Sequence, residues 1–212
     1  MLHNSAESIR NSGRFVKMLF VSLVVLIIDQ LSKFFVKGLA IQALGINVTG
    51  LLPGQKIPII SKVFDITFAE NPGIAFGLDL GDTFKFVVSV FTLITCVLLV
   101  YILFKSRAKS LGLRLSLALI LGGALGNLFD RLFYGVIYGY APFFYGKVVD
   151  FFNIKIFNLY IFHRMLGSYI FNFADLFVSL GVILLFYSYN KERNRNENLD
   201  SSLEKYLADN KE

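Results

Sequence analysis

Apolar positions fall into four long runs, separated by two loops that mix polar and aromatic residues. A helix needs about 20 mostly apolar residues to cross a hydrocarbon core of roughly 30 Å. The runs predict spans at about 18–37, 86–104, 113–133 and 170–189. The second is uncharged between Lys85 and Lys105. The first is interrupted by Asp29 and Lys33, the third ends on Asp130 and Arg131, and the fourth carries Asp175 near its start. Ionisable groups are costly at membrane depth, so these are the positions of functional interest. Between spans 1 and 2 lie Ile57–Ile60 and Val63–Phe68; the second stretch is rich in β-formers, and a small hairpin or sheet is expected here. Between spans 3 and 4, the stretch 134–169 is dense in Phe and Tyr. Aromatics favour the headgroup level, so this loop is expected to lie on the membrane.

Composition agrees with that pattern. The 212 residues are 55% hydrophobic and 17% charged, and mean hydropathy is +0.62. Soluble domains run nearer about 45–50% apolar and 25% charged. A single cysteine, Cys96, excludes a disulfide framework and Cys-rich metal sites. Two distant histidines, His3 and His163, speak against a His-built metal centre. No Cys- or His-built metal site is therefore expected. Cys96 itself, midway along span 2, reads as a small packing residue.

The net charge of +6 changes meaning once the basic residues are placed. They concentrate in the N-terminal arm (Arg10, Arg14, Lys17), in the link between spans 2 and 3 (Lys105, Arg107, Lys109, Arg114) and in the tail. Such an excess marks the cytoplasmic side. Both termini are expected there, and no nucleic-acid partner is implied. The first span has the basic lead of a signal peptide, but no A-x-A site follows and Asp29 and Lys33 break its apolar region, so it reads as a retained helix. The expected architecture is an all-α membrane protein: four transmembrane helices, a small periplasmic β-element and a membrane-lying outer loop. Residues 1–190 form one domain, and 191–212 a charged cytoplasmic tail.

At 1.5 Å rise per residue, Asp29 lies roughly 16 Å from the inner surface, Asp130 roughly 26 Å from it, and Asp175 roughly 8 Å below the outer surface. With Asp150 in the second outer loop, four aspartates gather toward the outer half of the membrane, beside Lys33 and Arg131. Asp29 and Lys33 are spaced i, i+4, which permits an intrahelical ion pair. Gly122 and Gly126 are spaced for close helix packing. Taken alone, Asp175 reads equally as a carboxylate favoured by the helix N-terminus, and Asp150 as an ordinary loop aspartate.

Five blocks surround these residues: Asp29-Gln30-Leu31-Ser32-Lys33, Glu70-Asn71-Pro72-Gly73-Ile74-Ala75-Phe76-Gly77, the run Gly122–Arg131 containing Asn127 and Asp130, Val148-Val149-Asp150-Phe151, and Phe171-Asn172-Phe173-Ala174-Asp175. In this order, and on this topology, they resemble the lipoprotein signal peptidases (signal peptidase II). These are four-span aspartic endopeptidases of the bacterial inner membrane.

The resemblance implies that Asp150 and Asp175 are the catalytic pair. It implies supporting or substrate-binding roles for Asp29, Lys33, Asn71, Gly73, Asn127, Asp130, Arg131 and Asn172. It also implies a diacylglyceryl-prolipoprotein substrate cut just before its lipidated cysteine, a membrane-lipid environment and an active site near the periplasmic face, with no metal and no organic cofactor. The enzyme is expected to be a monomer. For Asn71, Asn127 and Asn172, substrate contact and internal bracing both remain open, and Arg131 suits an anchor for carboxylates or carbonyls. The chain departs from the simplest family pattern between Arg131 and Asp150 and between Phe152 and Phe171, where extra residues enlarge the outer loop. A rival from another class is a small ion-coupled carrier. The gathering of the charges at one face, with no polar chain across spans 2 and 4, speaks against it.

Overall fold

The computed structural model describes residues 2–41, 46–61, 63–73, 81–161 and 164–209. Helix α1 (Leu2–Lys37) is followed by strands β1 (Gly38–Ile41), β2 (Ile46–Thr49), β3 (Lys56–Ile60) and β4 (Phe64–Asn71). Helices α2 (Asp82–Lys105) and α3 (Leu111–Phe129) come next. A π-helical turn (Asp130–Tyr134) and a short helix α4 (Gly135–Ile137) prolong α3. Strands β5 (Val148–Ile161) and β6 (Arg164–Phe171) lead into α5 (Phe173–Asp209).

Among the described residues, four stretches are long and apolar enough to cross a membrane: Ile9–Lys37, Asp82–Ala108, Leu111–Ile137 and Phe173–Leu199. They match the four expected spans, with longer ends. The fourth begins at Phe173, not near Ile170, because β6 claims residues up to Phe171. Helix α3 is the centre of the bundle: half of its most apolar stretch is buried, against 17–22% in the others. Its glycines set how closely the neighbours approach. A Cβ at Gly122 would come 2.8 Å from the Ser22 carbonyl oxygen and 2.6 Å from Val25 Cβ on α1. One at Gly123 would come 2.4 Å from the Ala174 carbonyl oxygen on α5. Close approach lets the Ser22 hydroxyl donate across to the Ala118 carbonyl at 2.8 Å. Small residues serve this purpose where no water drives helices together. Cys96 is buried in the same core with Met18, Leu103, Leu117 and Leu121. The outward faces carry Phe20, Phe35, Phe91, Val97, Ile183 and Phe186 exposed, as a lipid-facing surface requires.

The β-structure is larger than the sequence pattern suggested. Among the described residues, β1 and β2 pair as a small antiparallel sheet. A second antiparallel sheet has the order β3-β4-β5-β6. The hairpin expected at 57–68 is β3–β4. The aromatic stretch expected as a membrane-lying loop supplies β5 and β6. Its aromatics partly serve the sheet: the Phe152 ring lies 5.8 Å from Phe64, 5.5 Å from Phe171 and 4.9 Å from Phe173. Cross-strand aromatic pairs of this kind stabilise a ladder. Lys155 pairs with Asp65 at 2.5 Å, and the Ser168 hydroxyl bonds Asn153, tying β4, β5 and β6 together. A second core of Val36, Phe68, Tyr134, Val149 and Phe151 joins this sheet to the helix ends.

Candidate active site

Asp29 and Lys33 lie one turn apart on α1 and form the anticipated ion pair, 2.7 Å long. The same ammonium reaches Asp130 at 2.8 Å and donates to Asn127 Oδ1 at 3.0 Å. Lys33, Asp29 and Asp130 are all fully buried. Buried charges persist only when paired and hydrogen-bonded, and these are. Gln30 Nε2 donates to Asp130 Oδ1 at 2.8 Å, while the Tyr134 hydroxyl donates to Gln30 Oε1 at 3.0 Å. Gly126 leaves the room, since a Cβ there would sit 2.4 Å from Asp29 Oδ2.

Each acid of this triad also holds a backbone amide. Asp29 Oδ1 accepts from the Ala174 N–H at 2.9 Å, and Asp130 Oδ2 accepts from the Val149 N–H at 3.1 Å. Ala174 precedes Asp175 on α5, and Val149 precedes Asp150 on β5. The triad thus fixes the two elements that carry the remaining aspartates.

Asn172 caps α5. Its Oδ1 accepts from the Asp175 N–H at 3.0 Å, and Asp175 Oδ2 accepts from the Asn172 N–H at 3.2 Å. This reciprocal arrangement is a capping box, so the expected helix-terminal role of Asp175 is real. The Asn172 side-chain amide donates to Asp150 Oδ1 at 2.7 Å, which links the two carboxylates through one residue. Asn127 Nδ2 donates to Asp175 Oδ1 at 2.9 Å. Asn71 Nδ2 donates to Asp150 Oδ2 at 3.0 Å. Gly73, at φ +104°, turns the chain so that its N–H reaches Asn71 Oδ1 at 2.9 Å. Arg131 donates to the Asn127 carbonyl at 3.2 Å, and its charge faces Asp130, Asp150 and Asp175.

Asp150 is 4% exposed, and Asp175 is half-buried. Burial, and then the neighbouring Asp175 charge, push the Asp150 carboxyl up to about 7, against the pull of Asn71, Lys33 and Asn172. The structure therefore brings together all ten residues singled out from the sequence. Of the second block, Ile74, Ala75, Phe76 and Gly77 lie outside the described residues. Sequence reasoning missed Gln30, which stood inside a quoted block, and Tyr134, for which no local signal existed. Among the described residues no group of His, Cys, Asp and Glu could hold a metal ion.

Residues 21–191 match the family model described as signal peptidase (SPase) II. The chain belongs to the signal peptidase II family. It is 34% identical over 170 residues to a lipoprotein signal peptidase of Chlorobium phaeobacteroides, covering 79% of this chain and 92% of that one. It is 33% identical over 205 residues to a lipoprotein signal peptidase of Porphyromonas gingivalis, covering 84% and 83%. A solved structure described as a bacterial membrane enzyme is 29% identical, with a TM-score of 0.56, covering 82% of this chain and 92% of that one. Membership makes this chain a peptidase, and with its four apolar helices a multi-pass bacterial membrane protein.

Proposed function

We propose that this member removes the signal peptide from diacylglyceryl-modified prolipoproteins, cutting just before the lipidated cysteine, with Asp150 and Asp175 as an aspartic dyad. The observation that carries the reading is the pair itself. Two carboxylates from different elements converge, one buried and one accessible, bridged by Asn172. Like charges held close do not both ionise easily, so such a pair shares one proton near neutrality. The ionised member takes a proton from water, which attacks the scissile carbonyl. The protonated member polarises that carbonyl, and the departing amine collects a proton as the tetrahedral intermediate collapses. Asn71, Asn127 and Asn172 orient the carboxylates. Asp29, Lys33, Asp130 and Arg131 support the frame, and Gly73 the turn behind Asn71. No metal or cofactor is needed for this chemistry.

The location suits a lipidated substrate. The dyad lies where the helix ends meet the sheet, at the end of the bundle opposite the basic α2–α3 link. In the bacterial inner membrane, with both termini cytoplasmic, this is the periplasmic face. Acyl chains stay in lipid, at about 0.8 kcal/mol per buried CH₂, while the bond to be cut meets the aspartates. One chain contains the whole constellation, so a monomer suffices.

The test uses purified protein in detergent with chelator present, and a prolipoprotein with or without its diacylglycerol. The wild type should cleave the lipidated form far faster. Asp150→Asn and Asp175→Asn should each lose about 10³-fold or more, with normal yield, and the double variant should be little worse, because residues acting as one unit are not additive. Near-normal cleavage by either single variant would sink the dyad. Reporter fusions at Ser110 and in the tail should read cytoplasmic, and those at Gln55 and Tyr145 outside.

A further inference from the structure

We propose that Lys37 and Glu70 form a clamp that positions Asn71, and through it Asp150, with the enlarged outer loop supplying the walls. This rests on the aspartic reading above. Lys37 is the last residue of α1, and its side chain is 7% exposed. Its ammonium lies 4.0 Å from the ring centre of Tyr138, 4.8 Å from Tyr140, 5.3 Å from Tyr134 and 6.0 Å from Phe68. These are cation–π distances. The ammonium also pairs with Glu70 at 2.6 Å. Tyr138 and Tyr140 lie between Arg131 and Asp150, where the chain departs from the simplest family pattern. Tyr138 is fastened to the end of α1 by its hydroxyl, which donates to the Gly38 carbonyl at 2.8 Å. The other Glu70 oxygen receives Lys147 at 3.3 Å, just before β5. One carboxylate therefore ties α1, β4 and the start of β5 together.

Glu70 immediately precedes Asn71, the last residue of β4. The regular β4–β5 ladder at that end is short. The register is irregular between Ile66 and Ala69, which leaves a short ladder of Ala69↔Asp150, Glu70↔Val149 and Asn71↔Val148. Beyond it come Pro72, which has no N–H to donate, and Gly73 in a left-handed conformation. The clamp grips this short end one residue from the amide that bonds Asp150 Oδ2. Lys37 and Glu70 are positioning residues: they act on the dyad through Asn71.

Releasing the clamp should slow chemistry and also change the titration of Asp150. That carboxyl faces Asp175, Lys33 and Arg131 as well as Asn71 and Asn172. Of these, the Asn71 bond is the one the clamp controls, and it favours the ionised form. The experiment measures kcat, KM and the pH profile for cleavage of a diacylglyceryl-modified peptide by the full chain in detergent. It compares wild type, Glu70→Gln, Lys37→Met, Lys37→Arg and the Glu70→Gln/Lys37→Met double, with a melting curve for each. Glu70→Gln and Lys37→Met should each lose about tenfold or more in kcat, since small misplacements near the chemistry are costly. KM should change little, and the alkaline limb should move to higher pH. Lys37→Arg, which keeps charge and ring contacts, should recover most of the loss, and the double variant should match the worse single. If Lys37→Met does not fold, Glu70→Gln decides, because its side chain is partly exposed. Wild-type kcat in Glu70→Gln, or a loss with an unmoved alkaline limb, overturns the clamp. A wild type that fails to cleave, or an active Asp150→Asn control, overturns the dyad reading and the clamp with it.

Discussion

Lys33 and Lys37 sit one turn apart on α1, and each holds an acidic partner from a distant part of the chain, yet they do so in different media. Lys33 lies in a dry network with Asp29 and Asp130, every member fully buried. Lys37 lies at the rim, walled by aromatic rings, against a Glu70 side chain that is 28% exposed. The chemistry is the same, but the cost of disturbing it is not. A charge stranded in a dry site keeps its full desolvation penalty, whereas one stranded at a rim recovers solvent. The inner network should therefore govern whether the enzyme folds, and the rim how well it is aligned.

Lys33→Met is the largest test of that contrast. It leaves Asp29 and Asp130 buried together with no cation between them. Breaking a buried pair in this way costs about 3–5 kcal/mol, so folded yield and melting temperature in detergent should both drop sharply. A well-folded Lys33→Met protein with a near wild-type melting temperature would place the network's value in chemistry and erase the contrast.

Gly126→Ala probes the same dry region without touching a charge. The added methyl would sit 2.4 Å from Asp29 Oδ2 and 2.9 Å from its Cγ. That carboxylate cannot swing away, because it holds Lys33 and the Ala174 N–H. Overpacking at such a point costs about 1–3 kcal/mol, seen as a lower melting temperature, and shifting α1 from α3 should also reduce activity. An unchanged melting temperature would show that the site is softer than its hydrogen bonds suggest.

The two networks were unequally legible in the sequence. Half of the inner one is a local pattern: Asp29 and Lys33 at i, i+4 on an apolar helix pair with each other wherever the helix forms. Asp130 joins from a different span; helix rise put it at a similar depth, but its pairing with Lys33 has no spacing rule along the chain. The rim was not legible. Lys37 read as the end of a span, and Tyr138 and Tyr140 as interfacial aromatics, because a cation–π enclosure brings a lysine on α1 to rings from two other segments and leaves no spacing rule. The sheet was half legible for a similar reason. A run of β-formers marked the β3–β4 hairpin, but the aromatic density of β5 and β6 suits a headgroup belt as well as a ladder, and only the pairing partners distinguish them. The start of α5 was misplaced by three residues for want of weight on Asn172, whose capping box with Asp175 sets that boundary.

Asp150 is where the networks meet, since both the Lys33 charge and the Asn71 bond favour its ionised form. Burial and Asp175 outweigh them and raise its carboxyl to about 7. Below that pH the pair keeps its shared proton. As pH rises through it the proton is lost, and cleavage should fall by up to about tenfold per unit. The same shift bears on stability. A raised carboxyl means that the folded state holds the proton more tightly than the unfolded chain, so stability falls as pH climbs from about 4 toward 7. Asp150→Asn should then melt no lower than wild type at pH 8, and a markedly lower melting temperature would show the ionised carboxylate to be structurally required.

The smallest expected effect lies on the acid side of the rim. Burial alone would raise the Glu70 carboxyl, but the hydrogen bond and charge of Lys37, and then those of Lys147, hold it below the usual carboxylate range. A depressed carboxyl contributes stability that is complete above its unfolded value and disappears as pH falls through the folded one. Because Glu70 and Lys147 are partly exposed, solvent screening limits that contribution to about 1 kcal/mol or less. Wild type should therefore melt slightly higher than Glu70→Gln near neutral pH, and the gap should close as pH drops below about 4.5. Added salt should narrow the gap at neutral pH too, since exposed pairs are screened, while leaving the deficit of Lys33→Met almost untouched. A gap of several kcal/mol that persisted in acid and in salt would mean the rim is as dry as the interior, and the two lysines would no longer differ in kind.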